Sequence, residues 1–289
     1  MASRRSNRIF DSSIIFITII SVLLCIIPVI NVIAVSLSSN SAIMASKVFL
    51  FPKELTFEAY KTIFKDGSML YSLIYTILLT LGYTVLAMLL TICAAYPLTK
   101  KRLKGRNLIL LLIVFTMYFS GGIIPDYLLI KNLNLIDKVL SLVLPGAISA
   151  FNLIVLKSFF LTLPESLEES AVLDGCNDIS VLFRIVLPLS KPVLATLSLY
   201  YAVGKWNSFQ DALFYISNAK LYPLQLKLYQ VVVNSQALDV SMGDSVNVNV
   251  LPESLKNACV VFATIPIVLV YPKLQKYFVS GVTIGAVKG

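Results

Sequence analysis

Histidine is absent from the 289 residues, and charge is scarce, with Asp, Glu, Lys and Arg together making up only 13%. The missing histidine removes Ser-His-Asp and Cys-His nucleophilic catalysis and every His-ligated metal site. The scarcity of charge bears on solubility, because a soluble domain carries about 25% charged residues. With 57% hydrophobic residues and a mean hydropathy of +0.85, the chain cannot cover a water-soluble globule of this size. A soluble enzyme is thereby excluded. Cysteine is also sparse: Cys25, Cys93, Cys176 and Cys259 are scattered without a CxxC spacing. Three of them lie in apolar runs, where small buried side chains are expected rather than disulfides or ligands. No G-x-x-x-x-G-K-[ST] phosphate loop occurs, so the chain is not its own nucleotide-driven motor. There is no repeat of fixed period and no low-complexity tract. What remains is an all-α integral membrane protein.

Crossing the hydrocarbon takes about 20 apolar residues. Uncharged runs of that order occupy 14–35, 69–99, 107–125 and 139–156, with Phe159 and Phe160 beyond Lys157. Two shorter runs, 192–204 and 257–272, are flanked by lysines whose stems can lie along apolar surface. The expectation is six spans, about 14–36, 70–97, 107–125, 139–161, 189–210 and 257–273, in a single transmembrane domain. The first run is longer than a secretory h-region and no A-x-A site follows it, so it is read as a retained span.

Charge in the loops gives an orientation. With the N-terminus in the cytoplasm, the inner segments hold 14 basic and six acidic residues, the outer ones ten basic and nine acidic. The excess of +9 therefore lies almost wholly on one side, as the positive-inside rule requires. It needs no nucleic acid to explain it, and both termini are expected to be cytoplasmic. The longest outer segment, 211–256, is rich in Tyr, Val and Asn and reads as a partly folded cap.

The segment 164–188, between spans four and five, carries most of the functional information. Pro164 suits a helix start, and Glu165, Glu168 and Glu169 sit near the positive end of the dipole. Gly175 stands where a left-handed cap favours glycine. Asn177 can cap a second helix in which Ile179, Leu182, Phe183 and Val186 share a face, and Pro188 is expected to end it. A helix-turn-helix of this kind is a suitable plug for a groove in another protein. A surface-lying amphipathic hairpin is the alternative.

Glu169, Ser170 and Ala171, then Gly175, then Ile185, Leu187 and Pro188, resemble the EAA---G---------I-LP loop of the membrane subunits of bacterial ABC importers. Ser170 stands where the family has Ala as the second residue of the motif. Further matches run nearly the whole length. Ser120-Gly121-Gly122-Ile123-Ile124-Pro125, Tyr222-Pro223-Leu224-Gln225 and the terminal 276–289 are similar to maltose-transporter-like permeases of the second-subunit type. They resemble in particular the Gram-positive branch associated with complex and uronate-containing saccharides.

The resemblance implies a type I ABC importer fold, with coupling helices between spans four and five that dock into cytoplasmic ATPases. The implied coupling residues are Glu169, Ser170, Ala171, Asp174, Gly175, Ile185, Leu187 and Pro188. The tail 274–289, with Gly281, Gly285 and Lys288, would reach the ATPases. Implied partners are a second permease in a heterodimer, two ATPase subunits holding ATP and Mg, an extracytoplasmic solute-binding protein and an oligosaccharide. The implied location is the bacterial cell membrane.

For the sugar path, aromatic faces and amide or hydroxyl donors are wanted. Tyr118 and Ser120 at the end of span three, and Trp206, Asn207 and Gln210 at the end of span five, are candidates. Trp206 is equally suited to anchor at the membrane interface. Lys131 and Lys205 could pair with a uronate carboxylate, although lysines near span ends usually snorkel. An ion-driven secondary carrier is the competing class. It would call for ionisable residues inside the spans, of which the first four runs have none, and often for an inverted repeat. Within the importer class, a polyol or glycerol phosphate is an alternative cargo.

Overall fold

A computed structural model of the chain describes the backbone of residues 2–241 and 252–286, and the side chains of 10–233 and 253–270. Helices account for the regular structure, and no strand occurs among the described residues. In order they are α1 (Ala2–Ser36), α2 (Asn40–Met44), α3 (Glu58–Asp66), α4 (Ser68–Ala95), α5 (Arg106–Tyr118), α6 (Ile123–Asn132), α7 (Val139–Val143) and α8 (Ala150–Phe160). There follow α9 (Glu165–Leu173), α10 (Asp178–Leu189, with a π turn at Leu182–Val186), α11 (Lys191–Asn207), α12 (Gln210–Tyr215), α13 (Leu224–Ser241) and α14 (Pro252–Ala286).

Three stretches are long and apolar enough to cross a bilayer alone: Phe10–Ser36, Ser68–Thr99 and Glu253–Val270. Three more helix pairs reach that length only together, and each is bent: α5 with α6 by 117°, α8 with α9 by 72°, α10 with α11 by 84°. Two expected spans therefore differ from straight helices. The 107–125 run breaks after Tyr118, and the chain reverses at Gly122, whose φ of +92° is a conformation L side chains rarely adopt. The 139–161 run is interrupted at Pro145-Gly146, where Gly146 has φ +74°. Hydropathy is blind to both breaks, because glycine and proline barely lower it while they redirect the backbone.

The chain divides into two compact units, 1–71 with 227–267 and 72–226 with 268–289. In the first, α1 presents a nearly continuous apolar surface, with Phe16, Ile17 and Leu24 more than 60% exposed. In a water-soluble domain such a surface would be a liability; here it suits lipid. The loop after α1 is fixed by polar contacts. Ser39 caps α2 by accepting from the Ala42 N–H at 3.2 Å, and Ser36 and Tyr60 hydroxyls lie 2.8 Å apart. Ser39 and Ser41 hydroxyls donate to the Glu54 carboxylate, Ser41 at 2.7 Å. These bonds hold the exposed Glu54 carboxyl below its ordinary 4.5.

The second unit has its own core. Tyr96 and Leu98 just after α4, Leu153, Leu156 and Phe160 of α8, and Leu197 and Tyr201 of α11 pack around Ala171, Val181, Leu182 and Val186. Each fully buried Val or Leu contributes about 1.5–3 kcal/mol. The 164–188 segment is thus built into the core of this unit rather than hung from it.

A charge-clamped helical hairpin and a polar pocket

Helix α9 ends in a Schellman motif. The Gly175 N–H donates to Val172 O at 3.0 Å and the Cys176 N–H to Ala171 O at 2.9 Å, with Gly175 at φ +84°. Nothing lies within 4 Å of a Cβ built at Gly175, so glycine is required there by backbone conformation and not by space. Asn177 then accepts from the Ser180 N–H at 2.8 Å and starts α10. Two caps three residues apart make the turn between the helices stiff.

Ala171 is buried and Ile185 and Leu187 half-buried, whereas Glu169, Ser170, Asp174 and Pro188 are exposed. The buried face of α10 is Val181, Leu182 and Val186, not the expected set. Ile179 and Phe183 are 68% and 60% exposed. The reason is the π turn, in which the Leu187 N–H reaches back to Leu182 O and shifts the phase of the helix. Nor does Pro188 end the helix. It sits just after the widened turn, and the helix runs on to Leu189 before the 84° bend.

Sequence reasoning missed what holds the hairpin. The basic stretch after α4 reaches across to both of its helices: Lys100 pairs with Glu168, Lys101 with Glu165 at 3.0 Å, and Arg102 with Asp178. Lys100 also lies 4.3 Å from the centre of the Tyr96 ring. Burial works against the Lys100 ammonium, but bonds to Glu168 and Tyr96 outweigh it and raise its pKa. The sequence signal was available in an acidic segment and a basic loop of matching charge, but the basic residues were already accounted for by membrane orientation.

Two acids, Glu169 and Asp174, make no ion pair among the described residues. They share the outer surface with Val172, Leu173, Ile179 and Phe183, of which Leu173 is 88% exposed. The hairpin therefore presents an apolar, negatively charged face.

The candidates for the sugar path are not gathered in one place. Tyr118 is 79% exposed, and Ser120 accepts from the Gly122 N–H at 3.2 Å, which gives it a role in the chain reversal. Lys131 is exposed in the last turn of α6. Asn207 and Gln210 are exposed, and the Trp206 Nε1 is buried without a partner among the described residues. Lys205 departs from snorkelling. Its side chain is only 6% exposed and pairs with Asp211 at 3.2 Å. It lines a pocket of about 480 Å³ together with Tyr83, Asn152, Tyr200, Tyr201, Asp211 and neighbouring residues of the same unit. Of the tail residues, Gly281 and Gly285 fall in α14 beyond the described side chains, and Lys288 lies outside the described residues.

Residues 89–284 match the binding-protein-dependent transport system inner membrane component family. The chain belongs to that family. It is 45% identical to protein LplC of Bacillus subtilis (strain 168) over 291 residues, covering 100% of this chain and 98% of the relative. It is 43% identical to the polygalacturonan/rhamnogalacturonan transport system permease protein YtcP of the same strain, covering 98% and 99%. Among solved structures it is similar to a bacterial ABC transporter involved in the import of the acidic polysaccharide alginate. The TM-score there is 0.86 at 33% identity, over 95% of this chain and 98% of that one. The fold is thus the helical type I ABC importer permease fold, and the chain is a membrane permease of a carbohydrate ABC importer. Family membership implies a partner permease, an ATPase and a solute-binding protein in general terms.

Proposed function

We propose that the chain forms part of the translocation path for oligosaccharides, including uronate-containing ones, and is driven through the 164–188 hairpin by separate ATPase subunits. The hairpin's construction carries this reading. Its inner face is locked into the core by Ala171, Val181 and Val186 and clamped by Lys100, Lys101 and Arg102. Its outer face offers Leu173, Ile179, Phe183, Glu169 and Asp174 to another protein. A lever transmits only the motion it does not absorb, and an element fixed on one side and unpartnered on the other has that property.

In this reading Ser170, Gly175, Ile185, Leu187 and Pro188 shape the hairpin, and both termini and the hairpin face the cytoplasm. ATP and Mg are held by the partner ATPases, and the tail from Gly281 through Gly285 to Lys288 touches them. The second permease makes the pore a heterodimer. The acidic cargo is supported by relatives whose names specify polygalacturonan/rhamnogalacturonan and alginate.

Affinity purification of the tagged chain tests the assembly. The expected result is co-isolation of an ATPase pair, a second permease and a binding protein, and ATP-dependent uptake of oligogalacturonides by the reconstituted complex. Ion-gradient-driven uptake by this chain alone would overturn the reading, and preferential uptake of a polyol or glycerol phosphate would overturn the cargo.

A further inference from the structure

The pocket beside Lys205 has a composition that coupling does not explain. Asn152 is only 5% exposed, yet its side-chain amide makes no hydrogen bond among the described residues while lining the cavity. The amide faces the cavity, so a ligand hydroxyl can take the place of water against it. Lys205 and Asp211 face the same cavity as an ion pair. A buried ammonium within a membrane domain is itself costly and marks functional positions. Asp211 is also within 3.4 Å of the Ser208 hydroxyl.

The walls are pre-set. Tyr83 donates to Gly146 O at 2.7 Å. The Tyr201 hydroxyl lies 2.7 Å from the Thr91 hydroxyl and accepts from the Ser149 N–H at 2.9 Å. The two rings meet edge to face, with centroids 6.1 Å apart. Gly204 leaves part of the lining open, since a Cβ there would meet nothing within 4 Å.

We propose that this pocket binds the hydroxyl-bearing face of one sugar ring of the cargo, and not its carboxylate. Lys205 is neutralised by Asp211, so the pocket offers no net positive charge to a uronate group. It offers instead an ammonium donor, a carboxylate acceptor and a free amide at close quarters, flanked by tyrosine rings. That set matches vicinal hydroxyls on a pyranose with an apolar ring face. A carboxylate entering here would lie against Asp211 and be repelled. The acidic groups of the cargo therefore pass outside this pocket. The proposal rests on the importer reading and refines where and how the cargo is held.

The test uses the full transporter complex in proteoliposomes, supplied with sugar-loaded binding protein. The cargo is given as an oligogalacturonide and as its carboxyl-reduced neutral counterpart, and the readout is sugar delivered per ATP hydrolysed. Asn152→Ala and Gly204→Leu are compared with wild type. The expected result is a fall in that ratio of at least about fivefold, on the scale of one lost hydrogen bond, and equal for the two cargoes. A misfolded variant would lose hydrolysis together with delivery, so the ratio separates site from scaffold. Wild-type ratios in both Asn152→Ala and Gly204→Leu, or a loss confined to the acidic cargo, would overturn the site. Failure of the wild-type complex to couple any uptake to ATP would instead overturn the importer reading.

Discussion

At the scale of single residues, Gly175 decides the shape of the hairpin. Its φ of +84° is open to glycine and strained for other residues. Gly175→Ala is expected to destabilise by about 1–2 kcal/mol, read as a lowered midpoint of thermal unfolding in detergent. Gly175→Asn is expected to cost less, because asparagine tolerates the left-handed region. Gly175→Val is expected to abolish sugar-stimulated ATPase activity of the complex while membrane insertion, read by fractionation, is retained. The role of this glycine was legible in the sequence from its position after the last periodic residue of α9. The partner of Lys205 was not, because Asp211 lies across a helix end and no periodicity links the two. Likewise Asn152 drew no notice in the middle of an apolar run, where only three dimensions reveal what it faces.

Among elements, the three ion pairs between residues 100–102 and the hairpin are unequal. Lys101 and Glu165 are 81% and 76% exposed, and such pairs contribute about 0–1 kcal/mol. Lys100 and Glu168 are 19% and 32% exposed and are backed by the Tyr96 ring. Lys100→Glu is therefore expected to uncouple ATP hydrolysis from sugar delivery, and adding Glu168→Lys to restore a measurable part of it. Lys101→Ala is expected to leave coupling within error. Because the Lys100 pKa is raised, the support it gives is fully present below about 10.4, the unfolded lysine value. That support is lost only as pH climbs through the higher folded value.

Glu54 behaves in the opposite sense. Its carboxyl is held below 4.5 by Ser39 and Ser41, so its support for the loop is present above that value and fades as pH falls past it. The protection of residues 39–44 against hydrogen exchange, relative to the intrinsic rate at the same pH, is expected to fall below about pH 4, the range in which carboxylates protonate. Glu54→Gln should show low protection at all pH values. Protection that does not change with pH in the unaltered chain would contradict this assignment.

For the molecule as a whole, what the sequence conveys depends on the range of the interaction. The membrane class follows from composition alone, and long apolar runs such as 14–35 become helix because the bilayer leaves a backbone no other way to satisfy its polar groups. The breaks at Gly122 and at Pro145-Gly146 escape hydropathy, since they change direction without changing polarity. The outer surface of the hairpin is readable as a motif. The clamp beneath it joins residues 68 and 76 positions apart, and loop charge by itself does not say which acid meets which base.

The wide turn at Leu182–Val186 has a consequence for how this gene can change. Losing one codon inside an ordinary helix turns everything downstream by about 100° about the axis. Here the loss could be absorbed by tightening the turn, and the register of the following helix with Lys205 would survive. The tightened turn would, however, bring the ring of Pro188 against the carbonyl four residues before it, at a cost of about 3 kcal/mol. An in-frame deletion at this place should therefore survive only together with replacement of that proline.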